Sequence, residues 1–379
     1  MRFAHMADLH IGKKLGPFDL IEDQKYALEN ALRIIEEAKA DAVFLAGDIY
    51  DRTVPSTEAV CLADAFLTNL CRIAPVFVVP GNHDSPERLA FGRQLLEPRG
   101  LVIAGAYDGR MEKHALFDEY GEICVSLLPF IRPRETEPYF ENADFDSAEK
   151  AVSAVIERDP PKKGVRNIMV THQFVTGGGE SPILSDSEVN PVGGLSEVSS
   201  RVFDGYDYVA LGHLHAAQKA GRECVRYAGS PLKYSFSETL HRKSLVIGEM
   251  DGEGRVKIEL RPIPFLRDLR KIQGPADKLT DPVQIASENA DDYVSITLTG
   301  DDIPASPMDA LGAVYKNIAF LSLPERSREA AGGAKGAAEK SPMELFGDFY
   351  RLVTGGELTG EMAKIADEIM ARAREEAGT

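Results

Sequence analysis

Met1-Arg2-Phe3-Ala4-His5-Met6-Ala7-Asp8-Leu9-His10-Ile11-Gly12 is the stretch on which the reading turns. Phe3–Met6 is a short apolar strand candidate, and it runs at once into a carboxylate, an imidazole and a glycine. A strand end fixes such side chains in place while the loop that follows stays open to solvent. In open sheets of alternating strands and helices, ligands bind at these ends.

The pattern recurs four times downstream. Ala42–Ala46 leads into Gly47-Asp48, and Pro75–Val79 into Gly81-Asn82-His83-Asp84. Asn167–Thr171 leads into His172, and Tyr206–Leu211 into Gly212-His213-Leu214-His215. Glycines at 12, 47, 81 and 212 permit the tight turn or close backbone approach that such a site needs. Five of the eight histidines fall in these clusters; His5, His114 and His241 read as structural or surface residues.

Taken as ligands, Asp8, His10, Asp48, Asn82, His172, His213 and His215 form a mixed set without thiolate. That set suits Mn, Fe or Zn in an expanded geometry better than a structural tetrahedral zinc. Seven ligands are too many for one ion and fit two if one carboxylate bridges. Two cations about 3.5–4 Å apart can share a hydroxide, lower its pKa and clamp a phosphate.

Between the clusters, strand and helix signals alternate. Asp23–Lys39 carries Leu28, Leu32 and Ile35 at helical spacing, and Ser56–Cys71 and Ser85–Leu96 read as helices behind N-capping serines. Pro86 stands at the first helical position after Ser85. Denser strands follow, at Glu122–Leu128, Glu223–Tyr227, Ser244–Glu249 and Val256–Arg261. Two packed sheets with outer helices are the expected result.

The pattern resets near Pro262–Pro264. Residues 265–323 read as a small α/β unit, with strands at Leu269–Gln273, Tyr293–Thr299 and Ile318–Leu323. Its helices are expected near Asp281–Asn289 and from Ser306, in a capping-box-like start. Residues 324–340 have no large apolar side chain and read as a linker. Beyond it, Leu345, Phe346, Phe349, Leu352 and Val353 share one face of a helix that ends at Gly355-Gly356. Met362, Ile365, Ala366, Ile369 and Met370 form the stripe of a second. Two readings are open for this pair: docking onto the chain's own body, or into a groove of another protein.

Composition sets the limits. Of 379 residues, 44% are hydrophobic and 27% charged, the balance of a soluble globular chain. No apolar run approaches the ~20 residues of a membrane span, and an acid at position 8 breaks any leader-like start, so a cytoplasmic protein is expected. Cys61, Cys71, Cys124 and Cys224 show no Cys-x-x-Cys spacing and read as reduced core residues. The net charge of −17 gives no global field to attract nucleic acid, so a phosphate must be held by local positive charge. Thr176–Glu180 is glycine-rich but lacks the Lys-Ser/Thr of a Walker loop.

The order Asp-x-His, Gly-Asp-x-x-Asp, Gly-Asn-His-Asp, His, Gly-His-x-His resembles that of the calcineurin-like metallophosphoesterases. Phe203-Asp204-Gly205-Tyr206-Asp207-Tyr208 and Gly229-Ser230-Pro231-Leu232 make the chain similar to the SbcD-type, Mre11-like nuclease branch of that family. The resemblance implies a four-layer α-β-β-α sandwich over residues 1–264. A small α/β capping, DNA-binding domain would follow at 265–323, then the linker 324–340 and a helical pair at 341–379. It implies one Mn²⁺ on Asp8, His10, Asp48 and His215 and a second on Asp48, Asn82, His172 and His213, with Mg²⁺, Fe or Zn as substitutes. His83 would donate to a phosphate or leaving-group oxygen, with Asp84 orienting its ring. Asp51 stands where other branches carry a substrate-contacting histidine. Lys13 and Arg52 follow metal clusters directly; tracking a DNA backbone and facing solvent are both open.

The activity implied is that of a Mn-dependent 3′→5′ double-strand exonuclease and single-strand endonuclease, processing DNA ends and hairpins in repair and recombination. A homodimer through helices near 56–71 and 85–97 is implied as well. So is an SbcC-type, Rad50-like coiled-coil ATPase bound through 341–376, the only route by which ATP enters. The location implied is cytoplasmic and nucleoid-associated. A small-molecule or phosphoprotein phosphatase needs neither the second domain nor the helical pair. A non-catalytic scaffold would not need the intact ligand set.

Overall fold

Arg2–Met6 lies inside a sheet, and its alternation sends the two faces to different cores. The computed structural model describes residues 1–178, 181–188, 196–281, 289–300, 302–324, 342–354 and 359–377. Phe3 packs among residues of a second sheet, while Ala4 and Met6 pack among residues of the helices behind the first. The first sheet runs in the order Val256–Pro262, Ser244–Met250, Arg2–Met6, Ala42–Ala46, Val76–Val79, Leu101–Ile103. Its last four strands are mutually parallel, and Ser244–Met250 runs antiparallel to both its neighbours. The second has Gln218–Ala220, Arg222–Tyr227, Tyr208–Leu211, Arg166–Thr171, Gly121–Leu128 and Glu112–Asp118, with parallel pairing through its four central strands. Both sheets are therefore mixed.

The sheets meet face to face through Phe3, Phe44, Phe77, Val125, Val170 and Tyr208, with Phe3 and Tyr208 rings 4.6 Å apart. Helices Ile21–Ala38 and Thr57–Ile73 cover the outer face of the first sheet, and Ala148–Arg158 covers the second. Ala42–Ala46 is buried at every position, as a central parallel strand covered on both faces must be. Because the central strands of each sheet run parallel, their carboxyl ends gather along one edge. All five polar clusters stand there.

Several expectations need correction. Ser85–Leu96 is not one helix: Pro86–Leu89 and Arg93–Leu96 are single turns separated by Gly92, whose φ of 74° lies in the left-handed region. Ser85 does cap the first, accepting from the Arg88 amide. Glu112–Asp118 and Ala148–Arg158 went unread; the first alternates half-buried and exposed as an edge strand does.

The unit 265–323 is a three-stranded parallel sheet of Leu269–Gly274, Tyr293–Leu298 and Asn317–Ser322 with its own core around Val294, Ile296 and Leu311. Its second helix, Pro307–Gly312, begins after Ser306, but the serine side chain makes no cap bond. The helix expected at 281–289 falls almost wholly outside the described residues, as do most of the linker and Gly355-Gly356. The unit is seated on the sandwich by polar contacts. Arg267 reaches Asp23 at 2.7 Å, Tyr293 Oη reaches the same carboxylate at 2.9 Å, and Lys233 reaches Asp268 at 2.7 Å. Pro342–Thr354 and Gly360–Ala377 form the expected pair, with Leu345, Ile365 and Ile369 exposed. No described helix is long and apolar enough to cross a membrane.

Candidate metal centre

The backbone builds this site before the side chains do. Asp8, His10, Asp48 and His213 all have positive φ (54°, 42°, 52° and 105°), values that L-residues avoid. Each such residue costs about 1–3 kcal/mol and persists only where its surroundings over-determine it. Here neighbouring loops clamp one another: Asp8 N donates to Gly47 O at 3.0 Å, His10 N to Asp48 O at 2.9 Å, and His213 N to Asp8 Oδ1 at 2.8 Å. The glycines follow from the same crowding. A Cβ on Gly212 would stand 1.8 Å from Ala46 O, and one on Gly81 2.2 Å from Asp48 Oδ1.

Seven side chains converge on this frame. His10 Nε2 lies 3.1 Å from His215 Nε2 and 3.5 Å from Asp48 Oδ2, and Asp8, His10 and His215 can present ligand atoms within 4.8 Å of one another. Asp8 Oδ2 is buried beside them with no hydrogen-bond partner. On the other side, His172 Nε2 lies 3.0 Å from Asn82 Oδ1 and 3.4 Å from Asp48 Oδ2, while His213 Nδ1 lies 3.0 Å from the same Asn82 oxygen. Asp48 Oδ2 thus reaches both groups, and its Oδ1 accepts from the His83 amide at 2.9 Å.

His172 Nδ1 stands 2.8 Å from the Ala46 carbonyl, which only accepts, so Nδ1 carries hydrogen and Nε2 turns inward. Inward-facing oxygens and imidazole nitrogens with so few donors among them are what a divalent cation satisfies.

Electrostatics agrees. Burial pushes Asp8 up to about 7 despite the neighbouring His172 and His215, a carboxyl lacking an adequate counter-charge. Burial pulls down His213 to about 3 and His10 well below its ordinary value. It opposes ionisation of the Asp48–His172 pair too, but their mutual attraction prevails, holding Asp48 well below the usual carboxylate range and raising His172 to about 9.

The other expected residues divide. His83 is half-buried at the rim, its ring edge-on to His10 at 4.7 Å. Asp84 does not orient that ring: its carboxylate accepts from the amides of Gly81, Ile49 and Tyr50 at 2.9–3.1 Å, and burial raises its pKa to about 6. The ring is held instead by the Asp51 carbonyl, 2.8 Å from Nδ1. Lys13 is not a free cation, since Nζ pairs with Asp51 at 2.8 Å; the Arg52 side chain is 77% exposed. His5 lies between the sheets on Tyr208 and Leu211, a structural residue as expected.

Sequence reasoning missed a supporting layer. Gln24 donates to His10 O at 2.7 Å and accepts from Gly12 N at 2.9 Å, and Tyr234 Oη donates to Leu9 O. Gln24 carried a signal, since it occupies the apolar stripe of its helix with Leu28, Ala31 and Ile35. Ser187, Glu188, Glu238 and Lys243 gather behind His215 with no comparable mark. Burial opposes the charge on Glu238, but His215 and Lys243 beside it hold its carboxyl well below the usual range.

Residues 1–217 match the calcineurin-like phosphoesterase family. The chain belongs to that family. Residues 266–354 match the SbcD C-terminal family, described as the type 5 capsule protein repressor C-terminal domain. It is thus an SbcD-like metallophosphoesterase, and its His/Asp cluster is of the dimetal kind typical of the family. Among solved structures, a dimetal phosphatase from Danio rerio is similar over 70% of this chain and 97% of its own, at 14% identity and TM-score 0.43. The protein TT1561 of Thermus thermophilus is similar over 69% and 99%, at 16% identity and TM-score 0.39.

Proposed function

We propose that this chain is the Mn²⁺-dependent nuclease subunit of an SbcCD-type complex, cleaving phosphodiesters at DNA ends and hairpins. The observation that carries the reading is Asp48 Oδ2, within 3.5 Å of His10 Nε2 on one side and 3.4 Å of His172 Nε2 on the other, as a bridging ligand requires. Asp8, His10, Asp48 and His215 would hold one ion, and Asp48, Asn82, His172 and His213 the other. When bound, such ions supply a hydroxide nucleophile at neutral pH and neutralise charge on the phosphate.

The chain's own residues do the rest. Asp84 ties the 81–84 turn to the Ile49 and Tyr50 amides, which sets His83 at the rim. The Asp51 carbonyl, accepting from Nδ1, leaves His83 Nε2 as the atom that would carry the second proton of the cationic ring and give it to an oxygen of the substrate, returning the ring to its neutral Nδ1–H form. Asp51 holds Lys13 at 2.8 Å and reaches Arg52 Nε at 3.7 Å; Arg52, far the more exposed of the two cations, is the one placed to meet a backbone phosphate. The unit 265–323 would cap the site and grip the duplex from its seat on Asp23.

The match over 266–354 supports partnership with an SbcC-type ATPase, with the pair 341–376 as its dock and ATP acting only through that subunit. Val54, Val60, Phe91 and Leu95 are exposed around helix Thr57–Ile73 and the 86–96 turns, and support homodimerisation there. The domain limits 1–264, 265–323, 324–340 and 341–379 and a cytoplasmic, nucleoid-associated location belong to the same reading.

The test is to incubate purified chain, alone and with its ATPase, with end-labelled duplex and single strands in Mn²⁺ or Mg²⁺. Manganese-dependent release of nucleotides from 3′ ends and internal cuts in single strands are expected. Hydrolysis of a nucleoside monophosphate far faster than DNA would make the chain a phosphatase instead.

A further inference from the structure

Behind His215 lies an enclosed polar cluster that the ligand set does not use. Glu238 is fully buried, and its two oxygens face different partners. Oε1 lies 3.2 Å from His215 Nδ1 and 2.6 Å from Ser187 Oγ; Oε2 lies 2.6 Å from Lys243 Nζ. Lys243 also donates to His215 O and to Ser230 Oγ, both at 2.8 Å. The His215 amide is held as well, donating to Glu188 Oε1 at 2.6 Å. Two segments distant in sequence, 185–188 and 230–243, therefore converge on one histidine.

The direction of each proton follows from what the partners can do. A carboxylate only accepts, so the single Ser187 hydroxyl proton points to Oε1; its lone pairs face Ser185 Oγ at 2.8 Å, whose hydroxyl can donate to it, and His215 Nδ1 at 2.9 Å. Nδ1 then meets two acceptors and must carry hydrogen. In a neutral imidazole the other nitrogen is bare. That nitrogen, Nε2, faces His10 in the cluster with Asp8.

We propose that Glu238 is a positioning residue for metal binding: with Ser187 it holds His215 in the Nδ1–H tautomer that turns a bare Nε2 toward the ion site, and Lys243 fixes Glu238 for that task. The assignment rests on the metal reading of the His215 cluster. A bare Glu–Lys ion pair would need only Oε2; Oε1 also accepts from Tyr234 N and Ser235 Oγ at 3.3 Å, but these bonds within its own turn do not call for its approach to the imidazole at 3.2 Å or to Ser187 at 2.6 Å. Carboxylates placed behind metal-binding histidines typically contribute about 10–100-fold in metal affinity.

The full chain is titrated with Mn²⁺, and free ion is followed by electron paramagnetic resonance. Wild type is compared with Glu238→Gln, the pair Glu238→Gln/Lys243→Met, and His215→Ala, with the unfolding temperature of each metal-free protein taken alongside. Wild type should hold two ions. Glu238→Gln should weaken one of them about 10–100-fold, the same one that His215→Ala abolishes, and leave the other unchanged. The double variant removes the buried charges together, so it stays folded if the single one does not, and it should keep the loss. Wild-type affinity for both ions in the double variant overturns the assignment and reduces Glu238 to a partner of Lys243. A wild-type chain that takes up no Mn²⁺ overturns the metal reading and this assignment with it.

Discussion

His5 gives a quantitative test of how the two sheets are joined. Its Nε2 is 3.1 Å from the Leu211 carbonyl, which only accepts, so Nε2 carries hydrogen; Nδ1, 3.0 Å from Tyr208 Oη, then accepts from the phenol. A second proton on Nδ1 would turn the Tyr208 oxygen into its acceptor and leave the phenol's own hydrogen without one, and burial draws the pKa from 6.5 down to about 3. With the folded value depressed, the unfolded chain takes up the proton first. The stabilisation is whole above pH 6.5 and drains away as pH falls toward 3. At 1.36 kcal/mol per pH unit the full loss is about 5 kcal/mol, of which about 2 kcal/mol is spent by pH 5. Urea unfolding at pH 7.5 and 5.0 would be followed by circular dichroism and tyrosine fluorescence, since the chain has no Trp. His5→Gln should be less stable at pH 7.5 by about 1–3 kcal/mol, because one of the two polar contacts is lost. Its stability should nevertheless fall about 2 kcal/mol less than that of wild type between the two pH values. Equal falls would refute the buried neutral imidazole and the inter-sheet packing derived from it.

Three other substitutions follow, two of which, at Gly212 and Asp84, probe the frame of the metal centre. Gly212→Ala puts a methyl 1.8 Å from Ala46 O and 2.7 Å from His172 Nδ1, so it should destabilise by about 3 kcal/mol or more and weaken Mn²⁺ binding. Gly92→Ala, with φ +74° but open space around it, should cost only about 1 kcal/mol in thermal unfolding. Asp84→Asn keeps one oxygen: placed at Oδ2 it still serves the Gly81 and Ile49 amides, but the Tyr50 amide loses its acceptor and the tie between the 81–84 turn and the Ile49–Tyr50 segment loosens. A loss of about 1–3 kcal/mol is expected, and DNA cleavage should fall through kcat more than KM because His83 is set by that turn.

Much of the site was legible because each ligand follows an apolar strand directly, and parallel strands bring their carboxyl ends to one edge whatever the intervening loops do. Asp8, Asp48 and His172 could be read in this way from three short strands alone. Asp84 could not: its role depends on amides 3, 34 and 35 residues away, and the family resemblance implied a contact with the His83 ring that the turn does not make. The segment 85–96 does not form the single helix expected of it because Gly92 uses its freedom to reach the left-handed region and stop the turn. Edge strand Glu112–Asp118 was missed because one covered face leaves only a weak alternation. Glu238 was invisible for a plainer reason: a carboxylate in a polar loop is ordinarily solvated, and only the fold reveals that Lys243, Ser187 and His215 enclose it.

The acid excess of −17 and a phosphate ligand are compatible on the same geometry. Surface carboxylates act over about a Debye length, ~8 Å at physiological salt, so most of the chain's charge is screened from the cluster. Among the seven candidate ligands only Asp8 and Asp48 bring negative charge; Asn82 and the four histidines bring none when neutral. Two divalent cations would exceed those two charges by two, leaving a positive spot inside an acidic protein. The buried Glu238–Lys243 pair behind His215 adds nothing net. The site can therefore hold a phosphate without a basic surface, and the chemistry separates from the grip. On the proposed nuclease reading the metal ions would bind the reacting phosphate, while the length of a duplex would be held by Arg52, the unit 265–323 or a second protein.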